Sequence, residues 1–132
     1  MTDFEIKLET LQATDDHGLR HTLALELAET GDPRVLSVLI GLIRRPDLSS
    51  RRGTLVYCLN NYDCRPFVEL LIQLVVEGNF EVALTADGLL DDMADVSGEG
   101  VERGYKALID ASGQTDMPDW RRAAINALLE RF

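Results

Sequence analysis

Apolar residues recur along this chain at intervals of three and four, the spacing that lines up one face of an α-helix. Over 3–13, Phe4, Leu8 and Leu11 form such a face, and Thr2-x-x-Glu5 places a capping box in front of it. Leu19, Leu23 and Leu27 follow at i, i+4, i+8, and Val35, Val38, Leu39 and Leu42 draw the next stripe. Between them stands Thr30-Gly31-Asp32-Pro33, with Gly suited to the left-handed end of one helix and Pro to the first turn of the next. Further helices are predicted over 80–93 and 101–111, the second with Val101, Tyr105, Leu108 and Ile109 on one face. Pro118 opens the last. No segment alternates with period two between hairpin turns, so no sheet is expected.

The stripes also repeat. RHTLALEL over 20–27 and RGTLVYCL over 52–59 share Arg-x-Thr-Leu and a Leu at the eighth place, 32 positions apart. The same shift lays Val35, Val38, Leu39, Ile40, Leu42 and Ile43 on Phe67, Leu70, Leu71, Ile72, Leu74 and Val75. A third copy begins near Val82, with Ala83, Ala86 and Leu90 in register, and a fourth half-copy carries Arg121, Ala124 and Leu128 after Trp120. The extra residues between the last two fall in Val96-Ser97-Gly98-Glu99-Gly100. No such helix buries its stripe alone, so neighbouring pairs must share a core. The expectation is an all-α chain of about eight helices, an α-solenoid of stacked antiparallel pairs in one domain over 1–132. Its parts are a capping helix over 1–14, pairs over 15–46, 47–78 and 79–114, and a closing helix over 115–132.

These residues make the chain resemble the HEAT-repeat family. In that family the first helix of a repeat reads apolar-Arg-x-x-Ala/Leu-x-x-x-Leu, with an Asp about five places before the Arg. Leu19-Arg20-Leu23-Leu27 follows Asp15 in this way, and Trp120-Arg121-Ala124-Leu128 follows Asp116. The second copy keeps Asp47, Arg52, Leu55 and Leu59 but has Arg51 at the apolar place; the third has Gly78 and Ala83 where Asp and Arg belong. The resemblance implies that these Asp and Arg residues pair in a ladder, broken at the third copy. It implies little about function.

Composition narrows the classes. Hydrophobic residues at 45% and charged residues at 27% are ordinary globular usage, which argues against disorder. The longest apolar runs, 35–43 and 67–76, are interrupted by Ser37, Gly41, Glu69 and Gln73, so no membrane span is expected. The first residues carry Asp3, Glu5 and Glu9 rather than a basic start and an apolar run, so no signal peptide and a cytoplasmic location are expected. The net charge of −10 disfavours nucleic acid and favours a basic protein as partner.

Charge is concentrated. Over 77–102 the chain has Glu77, Glu81, Asp87, Asp91, Asp92, Asp95, Glu99 and Glu102, and no Lys or Arg. Asp87, Asp91 and Asp95 lie at i, i+4, i+8 and form one ridge, where each like-charge pair costs a few tenths of a kcal/mol. A solvated acidic face and a docking surface both fit this pattern. The candidate partner-binding residues are Asp87, Asp91, Asp92, Asp95, Glu99 and Glu102.

Other chemistry is thinner. Asp91-Asp92-Met93-Ala94-Asp95 spells DDxxD, a pattern that holds magnesium diphosphate in terpenoid synthases, but no second metal motif accompanies it. His17 and His21 stand at i, i+4, yet Gly18 occupies the place of the Glu in H-E-x-x-H. Cys58 and Cys64 have no second pair to complete a zinc site; reduced thiols are expected over a disulfide clamp. No catalytic residue, cofactor or metal site is expected.

So small and acidic a helical stack is similar to the immunity proteins of bacterial polymorphic or contact-dependent growth-inhibition toxin systems. That resemblance implies an inhibitor covering the cationic active site of a nuclease-type toxin. An adaptor gripping a peptide on its concave face is the alternative, and a magnesium-dependent enzyme using DDMAD is a third.

Overall fold

In a computed structural model the chain forms eight α-helices and three short 3-10 turns, and no strand, among the described residues. The described residues are 1–93, 96 and 98–132. The expected all-α class is the one the chain adopts.

The helices group into two compact units, 1–63 and 64–132, and the division falls inside the predicted 47–78 pair. The first unit holds α1 (Asp3–Ala13), α2 (His17–Ala28), α3 (Pro33–Ile43) and α4 (Gly53–Cys58). The capping box forms: the Thr2 hydroxyl accepts from the Glu5 N–H at 3.1 Å and the Glu5 carboxylate reaches back to the Thr2 N–H. Asp16 and Asp32 cap α2 and α3 with their side chains alone, accepting from the Leu19 and Arg34 N–H groups. Gly31 has φ +68°, the left-handed turn that ends α2 before Pro33 starts α3. α1 packs on α2 and α3, and both α2 and α3 pack on α4. The core is Leu11, Leu23, Leu27, Val35, Leu39, Leu42, Leu55 and Leu59 with their neighbours.

One stripe differs from its expectation. Leu19 is exposed, and the adjacent Arg20 is buried instead, at 1% exposure. Its guanidinium donates to the carbonyl of Thr14, the C-terminal cap of α1, and to His17 Nδ1 at 2.7 Å. A helix end leaves carbonyls unpaired and carries partial negative charge, so a cation is favoured there.

The second unit holds α5 (Val68–Glu77), α6 (Phe80–Asp91), α7 (Glu99–Ser112) and α8 (Asp119–Arg131). α5 is the central helix, packed against α6, α7 and α8. Leu71, Ile72, Leu74 and Val75 are buried within it, together with Val82, Ala86 and Leu90 of α6, the residues the third copy keeps. α7 turns differently from its expectation: Gly104, Leu108 and Ala111 form its buried face, while Tyr105 and Ile109 are exposed. The reason is contact distance. A Cβ at Gly104 would stand 2.4 Å from Ile72 Cδ1, so the absent side chain lets α7 approach α5 closely. Among the described residues no helix is long and apolar enough to cross a membrane.

Candidate functional site

The 64–132 unit carries six Lys and Arg against thirteen Asp and Glu, whereas 1–63 has seven against ten. Most of the negative field therefore belongs to the second unit. Of the candidate residues, α6 places Asp87 and Asp91, Asp92 is its C-terminal cap, and the first turn of α7 places Glu99 and Glu102.

The side chain of Asn79 caps α6, accepting from the Val82 N–H at 2.9 Å. That start fixes the rotation of the helix. Val82, Ala83, Ala86, Leu89 and Leu90 turn inward, and Phe80 and Leu84 turn outward at 54% and 59% exposure. Asp87 lies between the two faces, half-buried. Asp91 ends the helix and Asp92 caps it, both exposed.

α8 lies alongside α6 and runs in the same direction. At the amino ends Phe80 and Trp120 meet edge to face, with ring centroids 5.2 Å apart. At the carboxyl ends Arg131 pairs with Asp91 at 3.1 Å and donates to the Met93 carbonyl at 2.9 Å. Between these contacts runs a groove of about 300 Å³. Phe80, Ala83, Leu84 and Asp87 line it from α6, and Trp120, Ala123, Ala124 and Ala127 from α8. Trp120 is held from its other neighbour: the Arg121 guanidinium sits 4.8 Å over its ring and donates to the carbonyl of Gly78, which ends α5.

Among the described residues, Asp87 is the one acidic residue in that lining. Burial pushes its pKa above the ordinary carboxylate value, the charge of Asp91 adds to the rise, and Arg131 opposes it. A cation placed in the groove would offset the repulsion from Asp91 and favour the charged form of Asp87.

The six residues singled out in the sequence divide accordingly. Asp87 and Asp91 share α6, and the charge of Asp91 helps to raise the Asp87 pKa. Asp91 has Arg131 as partner, and Glu99 has Arg103 at 3.3 Å, which also holds Glu69 at 2.9 Å. The ridge is thus partly offset by arginines from outside the 77–102 segment. Asp92 and Glu102 have no ion-pair partner among the described residues. Glu99 and Glu102 fall in the first turn of α7, where the helix dipole favours negative charge. Asp95 lies outside the described residues, as does Ala94 of the DDMAD run.

The outward pair Phe80 and Leu84 was missed in the sequence because the buried stripe of α6 accounts for the other apolar residues. The signal was there: Phe80 and Leu84 stand at i, i+4 on a second face, off the line through Val82, Ala86 and Leu90.

The remaining candidates resolve locally. His17 accepts from Arg20, while His21 Nε2 lies 3.3 Å from the Arg51 carbonyl, so the two rings serve different partners. Because a guanidinium only donates, His17 Nδ1 must be the acceptor and its proton sits on Nε2. Among the described residues no three His, Cys, Asp or Glu side chains gather as a metal site. Cys58 and Cys64 are buried thiols, and burial pushes the Cys58 thiol up to about 11.

The expected Asp–Arg ladder takes another form. Asp47 is gripped by Arg45, through contacts of 2.7 and 3.1 Å, and feels Arg20 only through space. Arg20 and Arg121, one repeat position in two copies, both donate instead to the carbonyl that ends a neighbouring helix. In Arg20, Arg52 and Arg121 alike, Nε is buried without a hydrogen-bond partner. The shared register therefore encodes an arginine with a buried Nε, fully buried at Arg20 and half-buried at Arg52 and Arg121, more than an ion pair.

No protein-family model matches the chain, and no curated protein matches it significantly.

Proposed function

We propose that this chain is a binding module, not an enzyme, and that it docks on a cationic partner protein through the acidic surface of its 64–132 unit. The observation that carries this reading is the apolar groove between α6 and α8 with Asp87 in its wall and Asp91 and Asp92 at its end. Exposed carboxylates steer a positive partner into encounter, and exposed Phe80 and Leu84 supply the apolar contact that holds it. In its most specific form the partner is a basic, nuclease-type toxin domain. The carboxylates would then cover the cationic surface that otherwise receives nucleic-acid phosphates. The HEAT-type repeat would serve as the frame that presents this face.

The test is association kinetics with the partner recovered by affinity capture, comparing the wild type with Asp91→Asn/Asp92→Asn/Glu102→Gln. The triple variant should associate about tenfold more slowly at low salt, with the difference closing as salt rises. Unchanged kinetics with every recovered partner would sink the proposal. A reading frame for a basic toxin-like domain immediately upstream of the gene is expected if the partner is a toxin.

A further inference from the structure

We infer that the channel between α6 and α8 seats about two turns of a basic amphipathic helix, with its apolar face on Phe80 and Leu84 and an arginine or lysine on Asp87. This rests on the cationic-partner reading above and assigns the form of the docking segment.

Length comes first. α6 has twelve residues, and α8 flanks it in the same direction from the Phe80–Trp120 contact to the Asp91–Arg131 pair. The lining runs from Phe80 to Asp87 on α6 and from Trp120 to Ala127 on α8, so at 1.5 Å per residue the channel is about 12 Å long, or about two helical turns. Its walls are unequal: Phe80 and Leu84 project on one side, and Ala123 and Ala127 leave the other side low. Large residues facing small ones make the kind of groove into which the ridge of a third helix packs.

Backbone chemistry selects a helix over an extended segment. Both walls are helices whose interior N–H and C=O groups are already bonded along their own axes, so they offer an extended chain nothing to pair with. Such a chain would bury its own amides unsatisfied, whereas a helix brings its hydrogen bonds with it.

Charge selects a basic one. Among the described residues no Lys or Arg lines the channel, Asp87 does, and two cations of α8 are engaged elsewhere: Arg131 with Asp91 and the Met93 carbonyl, Arg121 with the Gly78 carbonyl. A cation arriving on a helix that covers Asp87 would keep that carboxylate paired as water leaves; a neutral helix would strand it.

Trp120 is the sole tryptophan and lines the channel, so its emission reports occupancy. The probes are a synthetic leucine–arginine amphipathic helix of about four turns, an oligoarginine of equal charge, and the same helix with glutamine for arginine. The first should give a saturable shift in Trp120 emission. Leu84→Ala and Asp87→Asn should each weaken it about tenfold, with circular dichroism unchanged, because neither side chain is in the core. Equal binding by oligoarginine, indifferent to Leu84→Ala, would overturn the groove assignment and leave the cationic-partner reading standing. Equal binding by the glutamine helix would overturn the charge assignment. Failure of all three probes would overturn both. If sedimentation shows a dimer of the chain that Leu84→Ala dissolves, the occupant is a second copy and the inference is wrong.

Discussion

Arg131 and Asp91 meet at 3.1 Å although forty positions separate them in the chain. The pair ties the last turn of α8 to the last turn of α6, and the other guanidinium nitrogen reaches the Met93 carbonyl just beyond. It sets how much of the acidic face is available to a visitor, because Arg131 also lowers the cost of charge on Asp87.

Replacing Arg131 with Gln should therefore change electrostatics more than stability. Asp91 is largely exposed, and exposed ion pairs contribute about 1 kcal/mol or less. Urea denaturation should show a loss within that limit. Carboxyl NMR titration should show the Asp87 pKa higher still, since the one contribution that lowered it is gone. A loss of several kcal/mol would mean that Arg131 is a packing residue first.

Asp87 has a pH signature of its own. A carboxyl whose folded pKa lies above its unfolded value binds protons more tightly when folded, so its ionisation costs stability at neutral pH. That cost fades as pH falls through the raised folded value and is gone below the ordinary carboxyl value of 3.8. Asp32 and Asp47, held low by Arg34 and Arg45, act the other way: their contribution is present above 3.8 and is lost as pH falls through their depressed values. Asp87→Asn should thus be more stable than the wild type at pH 7, with the gap closing towards pH 3. Denaturant midpoints at both pH values measure it, and a gap independent of pH would refute the assignment.

How far the sequence could be read follows the range of the interactions. Caps, breaks and the stripes of α3, α5 and α6 are decided within a few residues, and Thr2, Asp32, Val82 and Leu90 do what their spacing implies. What depends on contacts between distant segments was not legible. Nothing near Asp91 announces Arg131, and the Arg of the repeat motif gives no sign that its partners are the Thr14 and Gly78 carbonyls. In α7, Tyr105 and Ile109 look like core residues until Ile72 is known to press on Gly104. The candidate site was half legible: its acids could be counted, but its apolar floor needed α8 beside α6.

Cys58 offers a check on the first unit. Its thiol is raised from 9.0 to about 11 by burial, which lowers the thiolate fraction at neutral pH about a hundredfold. In a Cys64→Ala background, Ellman's reagent should label Cys58 at least about a hundredfold more slowly than a short cysteine peptide, until denaturant exposes it. Prompt labelling of the folded protein would show that α4 opens far more readily than its packing suggests.

Arg20 should be among the most sensitive positions in the first unit. Its side chain is buried, satisfies the Thr14 carbonyl at the end of α1 and His17 at the start of α2, and fills the space between them. Arg20→Ala removes both bonds and leaves a cavity, at a cost of about 3 kcal/mol or more. Arg20→Lys keeps the charge but one ammonium replaces a fork that reaches two acceptors, so about 1–2 kcal/mol is expected. Equal losses for the two would mean that the hydrogen bonds contribute little beyond volume.

The contact of α7 with α5 at Gly104 makes a sharper test, because a second substitution predicts its own rescue. Gly104→Ala adds a Cβ at 2.4 Å from Ile72 Cδ1, inside any normal contact. Alanine would otherwise favour α7 by about 1 kcal/mol over glycine. Ile72 is fully buried, however, so its δ-methyl has no solvent to turn into, and overpacking of about 1–3 kcal/mol should outweigh that gain. Ile72→Val alone should cost about 1 kcal/mol, the usual loss for one buried methyl. Combined, the two should be more stable than Gly104→Ala by itself, since valine lacks the δ-methyl that the new Cβ strikes. Simple additivity of the losses in a double-mutant cycle would show that α7 relieves the clash by shifting away from α5, and that glycine there does not set the approach of the two helices.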